Sequence, residues 1–219
     1  MDERWALTDL HRFPHAYSQA YSFIYCLDSA LESEDARRID TALQGYPWLG
    51  GYSYVNIYTV FARQVPFKFR PTIRSIRYAS PGAIDILLNA DVALQIAKSV
   101  AALIAGGVAI AEAIKRIDTI RLQIAQGRRN DRVHSINVAA REAAELNRLS
   151  EEVARHLGFS RLSELNRRTK DPEVTLKLLL AHCRRLEVLA DFVNDRKAKL
   201  PLNLPDDLRS GDLRTNERH

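Results

Sequence analysis

The sequence predicts a mainly α protein: an N-terminal helical unit with a β-hairpin or small sheet, followed by three long helices forming a bundle or coiled coil. Three observations carry that expectation. Apolar side chains recur at three- and four-residue steps over most of the chain, the period of a helix face. Ile96, Leu103, Ile110, Ile117 and Ile124 fall at seven-residue intervals, as in helices that keep one seam against a partner. The aromatic content also breaks sharply, with fifteen of the seventeen aromatic residues at or before Tyr78. Residues 1–89 therefore read as an aromatic-cored unit and 90–200 as an Ala/Leu/Ile-rich bundle. Residues 201–219, polar and punctuated by proline, read as an extended or disordered tail.

Within the first unit, Phe13, Tyr17, Tyr21 and Ile24 set an aromatic stripe on a helix running to about Leu31, with Pro14 in its first turn. Residues 34–43 form a second, short helix before Gly45-Tyr46-Pro47. After Gly50-Gly51, the stretch YSYVNIYTVFARQV places Tyr54, Ile57, Tyr58 and Phe61 on one helix face, although its β-branched and aromatic content suits a strand as well. Residues 71–79 fit a strand, Ser80-Pro81-Gly82 a turn, and 83–88 a returning strand. An isolated pair of strands is marginal in water and needs a helix or another chain to cover it.

From Ala90 the heptad series predicts a helix to about residue 126, roughly 55 Å long at 1.5 Å per residue. Gly106-Gly107 lies in its middle. Each glycine costs about 1 kcal/mol relative to alanine there, so the pair suggests close approach of a partner helix, with a kink as the alternative. The uncharged run 99–111 is thirteen residues long, whereas a membrane span needs about twenty. A buried core helix and no membrane partner are expected. Gly127 would end this helix. Another runs from Val133 to Leu157 with Gly158 as its C′ residue, and residues 160–167 form a short helix or turn. Asp171-Pro172-Glu173 is a start signal of cap, proline and first-turn acid, opening a last helix with Leu176, Leu179, Leu180, Cys183, Leu186, Leu189, Ala190 and Val193 inside.

The chain has 219 residues and a net charge of +5, so it can bury a real core. Cys26 and Cys183 are its two cysteines. They make no disulfide framework or metal spacing, and free thiols in a reducing compartment are expected. The first residues, MDERWALTDLHR, lack an apolar leader, so a cytoplasmic location is expected. No phosphate-binding glycine loop, Cys-x-x-Cys pair or G-x-S-x-G elbow occurs. His11 and His15 have helical metal-ligand spacing, but Pro14 intervenes and no third ligand is placed, so neither a metal nor another cofactor is expected.

Two regions could carry chemistry. Residues 63–77 hold Arg63, Lys68, Arg70, Arg74 and Arg77 without an acid, interleaved with Phe67 and Phe69. Cations and stackable rings together suit nucleic acid, although those phenylalanines are expected in the core. The second is Arg129-Asn130-Asp131-Arg132-Val133-His134, which resembles the R-N-x-x-x-H signature of the helical HEPN ribonucleases. That resemblance implies His134 as general base beside Arg129 on the phosphate, with two motifs meeting across a dimer. The competing reading is a basic loop between two helices.

Gly50-Gly51-Tyr52-Ser53 and Tyr78-Ala79-Ser80-Pro81-Gly82 together resemble a family of uncharacterised bacterial proteins that carry a GGYS stretch and a YASPG turn. The resemblance implies a bacterial cytoplasmic origin and no activity. Ser80 reads as a turn residue rather than a nucleophile.

The expected function is non-enzymatic: an oligomeric interaction or regulatory protein of the bacterial cytoplasm, self-associating through the seam Ile96, Leu103, Ile110, Ile117 and Ile124. The alternatives are a HEPN-like, metal-independent ribonuclease using Arg129 and His134, and a nucleic-acid-binding accessory protein using Arg63, Lys68, Arg70, Arg74 and Arg77.

Overall fold

The computed structural model describes residues 5–28, 31–46, 51–77, 83–130, 136–200 and 202. Among these, the chain is mainly helical: α1 (Asp9–Tyr25), α2 (Ser33–Gln44), α3 (Gly51–Gln64), a 3-10 turn (Phe67–Phe69), strands β1 (Thr72–Arg77) and β2 (Ala83–Leu87), then α4 (Ala90–Asn130), α5 (Ile136–His156), α6 (Leu162–Thr169) and α7 (Pro172–Asn194). The stretch open to either reading, residues 51–64, is helix. The expected tail at 201–219 and the Ser80-Pro81-Gly82 turn lie outside the described residues, apart from Leu202.

Helix α1 begins at Asp9 and ends at Tyr25, earlier at both ends than the aromatic stripe predicts. Pro14 consequently sits inside the helix, not in its first turn. It is exposed, so the Leu10 carbonyl left without an intrahelical donor faces the solvent side.

The central helix is α7, which packs on α1, α3, α4, α5 and α6. Its start is chemically specified. Asp171 Oδ1 accepts from the Glu173 and Val174 amides at 2.8 and 3.2 Å, and Pro172 occupies the first turn where no donor is needed. Thirteen of its 23 residues are buried, so it is enclosed on most sides. Each fully buried Leu contributes about 1.5–3 kcal/mol of transfer free energy. Phe23 of α1 lies 5.7 Å from Tyr58, 5.6 Å from Phe61 and 5.8 Å from Phe159. One apolar core thus joins residues from both sides of position 90.

Strands β1 and β2 pair antiparallel. Thr72 faces Leu87 and Ile73 faces Ile86, after which the register shifts so that Ser75 faces Asp85. Arg74 is the extra residue of that bulge, a device that bends a ladder and increases its twist.

Helix α4 departs most from expectation. Gly107 has φ 29° and ψ −105°, so two helical limbs meet at a kink. Gln95 donates to the Gly158 carbonyl at 2.9 Å, while Arg116 pairs with Glu152. In a straight helix residues 95 and 116 would stand roughly 32 Å apart, whereas 152 and 158 are separated by about 9 Å of helical rise. The kink folds the second limb back along α5. The expected 55 Å rod is therefore absent, because a glycine at positive φ takes a conformation that L side chains rarely adopt. The helix also continues past Gly127 to Asn130.

Candidate functional site

The kink divides the predicted seam after its second member. Ile96 and Ile117 are fully buried in the core of their own chain, Ile110 is buried with its side chain against Gly106 of its own helix, and Leu103 and Ile124 are half-buried. The seam is therefore largely filled by α1, α5 and α7 of the same chain. What stays open lies around the kink. Ala105, Gly107, Val108, Ala109 and Ala111 are exposed, Val108 at 75%, and Leu122 is exposed farther along. Residues 90–124 contain a stretch long and apolar enough to cross a membrane by length and composition, of which 28% is buried. A longer window than the uncharged run 99–111 thus meets the length criterion.

Gly106 packs closely within its own helix. A Cβ there would meet Ile110 Cδ1 of its own helix at 2.6 Å. Tight packing against the Ile110 side chain favours a small residue at this position.

The second candidate surface follows α3. Val65 is buried, Pro66 turns the chain, and residues 67–69 make a single 3-10 turn. At three residues per turn, side chains two apart point about 120° away from each other. Phe69 turns inward and packs on Tyr25 at 5.7 Å, while Phe67 is 80% exposed. The expectation that both enter the core holds for neither fully, since Phe69 is half-buried.

Several bonds fix this turn. Arg70 Nε donates to the Val65 carbonyl at 2.9 Å. Tyr21 Oη donates to the Phe69 carbonyl at 2.7 Å. Arg38 of α2 donates to the Gln64 side chain at 3.1 Å and to its carbonyl at 2.6 Å. Lys68 Nζ stands 4.9 Å from the Phe69 ring centroid, within cation–π range. Arg63, Lys68 and Arg70 are all exposed. Arg74 and Arg77 follow on β1, with side chains outside the described part.

Arg129 lies in the last turn of α4, its side chain undescribed, and His134 lies outside the described residues. The structure therefore brings no pair together there. His11 and His15 stack at 5.4 Å, and His15 Nε2 lies 2.9 Å from Gln19 Nε2. Among the described residues no group of three His, Cys, Asp or Glu side chains could hold a metal.

No protein-family model, curated protein or solved structure matches this chain.

Two polar features have no sequence signal. Arg185 lays its guanidinium 3.4 Å from the buried Tyr58 ring and donates to Gln19 and the Ala181 carbonyl at 2.8 and 2.6 Å. Burial holds its pKa below the usual arginine value. One turn earlier, His182 is fully buried beside Phe23 and Phe159. Desolvation, helped by Arg185, pushes its pKa down to about 3, so the ring is neutral in the folded protein at ordinary pH.

Proposed function

We propose that this is a non-enzymatic interaction protein that self-associates through the open apolar side of α4. In this reading α1, α4, α5 and α7 form a bundle, β1 and β2 form a β-hairpin arm, and the protein works in the bacterial cytoplasm. The bacterial assignment follows the likeness of residues 50–53 and 78–82 to the family described above.

The supporting observation is the exposure of Val108 and its small apolar neighbours at the Gly107 kink. Exposed apolar residues gathered at 105, 107–109 and 111 suit a contact surface. Small residues let two such kinks approach closely. The interface then involves the residues around 105–111 rather than the buried members of the heptad series.

Light scattering at micromolar concentration tests the reading. The wild type is expected as an oligomer. Val108→Asp is expected as a folded monomer, since an exposed charge costs the isolated chain little but has no partner in a buried contact. A monomeric wild type would remove the proposal. Wild-type recovery only in the membrane fraction after carbonate washing would replace it with a membrane role for α4.

A further inference from the structure

A second surface, within residues 41–84, differs in its chemistry from the apolar side of α4. Residues 41–84 contain no carboxylate side chain over 44 positions, yet hold Arg63, Lys68, Arg70, Arg74 and Arg77. Near the middle of that stretch Phe67 projects into solvent, 80% exposed, on a turn whose two sides are tied to α1 and α2. Exposing a whole phenyl ring forfeits about 1.5–3 kcal/mol of burial. An aromatic ring held outward among cations is a stacking platform.

We infer that the turn from Arg63 to Arg70 binds single-stranded nucleic acid, with a base stacked on Phe67 and phosphates held by Arg63, Lys68 and Arg70. Each base offers a flat apolar face, and an unpaired strand can present that face as a duplex cannot. Phosphates along the strand match cations spread over a few residues of turn. Asp35 of α2 already pairs with Arg38 at 2.9 Å. Asp85 stands across from Ser75 on the strand pair. An anionic lipid surface fits less well: the turn itself presents one large apolar side chain, and among the described residues that follow it the next exposed one, Ile73, is six positions away on β1.

The test is fluorescence anisotropy with labelled oligo(dT) and oligo(U) of twelve nucleotides, a duplex of equal length, and vesicles containing phosphatidylserine. The wild type is expected to bind both single strands more tightly than the duplex, with affinity falling as salt rises. Phe67→Ala should weaken single-strand binding by about 5- to 150-fold, the usual loss for one stacked base. Lys68→Ala and Arg63→Ala should weaken it for every sequence and each flatten the salt dependence by about one phosphate contact. These side chains are exposed, so unchanged thermal melting of each variant is expected and separates binding from folding. Equal affinity of wild type and Phe67→Ala overturns the inference. So does equal binding of duplex and single strand, binding to vesicles alone, or no binding at 50 mM salt (about the lower end of the usual range).

Discussion

The Tyr21 hydroxyl donates to the Phe69 carbonyl at 2.7 Å and accepts from the Asn89 amide at 3.1 Å. One fully buried side chain of α1 therefore clasps the chain just before β1 and just after β2. The strands pair chiefly with each other, so this clasp, with the Phe69 ring on Tyr25, fixes the base of the 70–88 segment. Desolvation raises the Tyr21 pKa, which keeps the phenol protonated as the donor this role needs.

Tyr21→Phe should keep the ring packing and lose both bonds, costing about 1–2 kcal/mol. The sharper readout is local. Hydrogen exchange of the Asn89 amide should accelerate while the amides of α7 change only in step with global stability. Unaltered exchange at Asn89 would show that the strand pair is held by something else.

The regularity of α7 was legible because local chemistry and burial agree there. Asp171 caps, Pro172 starts, and the leucines from Leu176 to Leu189 are buried as their spacing predicts. The kink in α4 was not legible, because Gly106-Gly107 is equally compatible with a close helix contact and with a break. The choice is made by distant partners, Gln95 with Gly158 and Arg116 with Glu152. The basic surface was half legible. Its cations stand out by the absence of acids, but hydrophobicity alone places Phe67 inside, and only the 3-10 geometry turns it out.

Gly107 should tolerate a side chain poorly for conformational rather than steric reasons. Nothing lies within 4 Å of a Cβ built there, yet φ is +29°. Gly107→Ala is expected to cost about 1–3 kcal/mol, the strain of an L residue in a sparsely populated region. A lowered urea midpoint without a changed slope would show it. If stability rises instead, with more helix by circular dichroism, the limbs have straightened and the kink is not intrinsic to the fold.

His182 makes stability depend on pH. Its folded pKa of about 3 lies below the ordinary 6.5, so the unfolded chain binds its proton first as pH falls. The associated stability is complete above about 6.5 and declines toward 3, by roughly 1.4 kcal/mol per pH unit. Urea unfolding at pH 7.5 and 5.5 should differ by about that amount, a range in which ordinary carboxylates remain ionised. His182→Leu should abolish most of the difference. An equal pH slope in the variant would place the titrating group elsewhere.

Both thiols should be inert in the folded protein. Cys26 and Cys183 are buried and free. Burial raises both pKa values, with Cys183 pushed up to about 12, so little thiolate exists to react. Ellman's reagent should modify neither cysteine within the time that unfolded protein reacts fully. Fast labelling of Cys183 alone would mean that α7 opens locally on that side.

The last expectation separates binding from cleavage. A ribonuclease built on Arg129 and His134 needs the imidazole to take the 2′-hydroxyl proton while the arginine meets the phosphate. Arg129 lies in the last turn of α4, five residues before His134, and neither spacing nor charge requires the two to converge. Arginines are also abundant, at 25 in the chain, so the motif has little specificity. Purified protein is therefore expected to leave single-stranded RNA intact in EDTA, with His134→Ala indistinguishable from wild type. A catalytic histidine would instead show as metal-independent cleavage that falls about 10²–10⁴-fold in His134→Ala while the fold is retained. The Phe67→Ala variant adds a second axis. If RNA is bound through Phe67 but not cut, that variant loses binding, His134→Ala keeps it, and the surface acts as a binding platform. Cleavage lost in His134→Ala would overturn the non-enzymatic reading and leave the question of binding at Phe67 to stand on its own measurement.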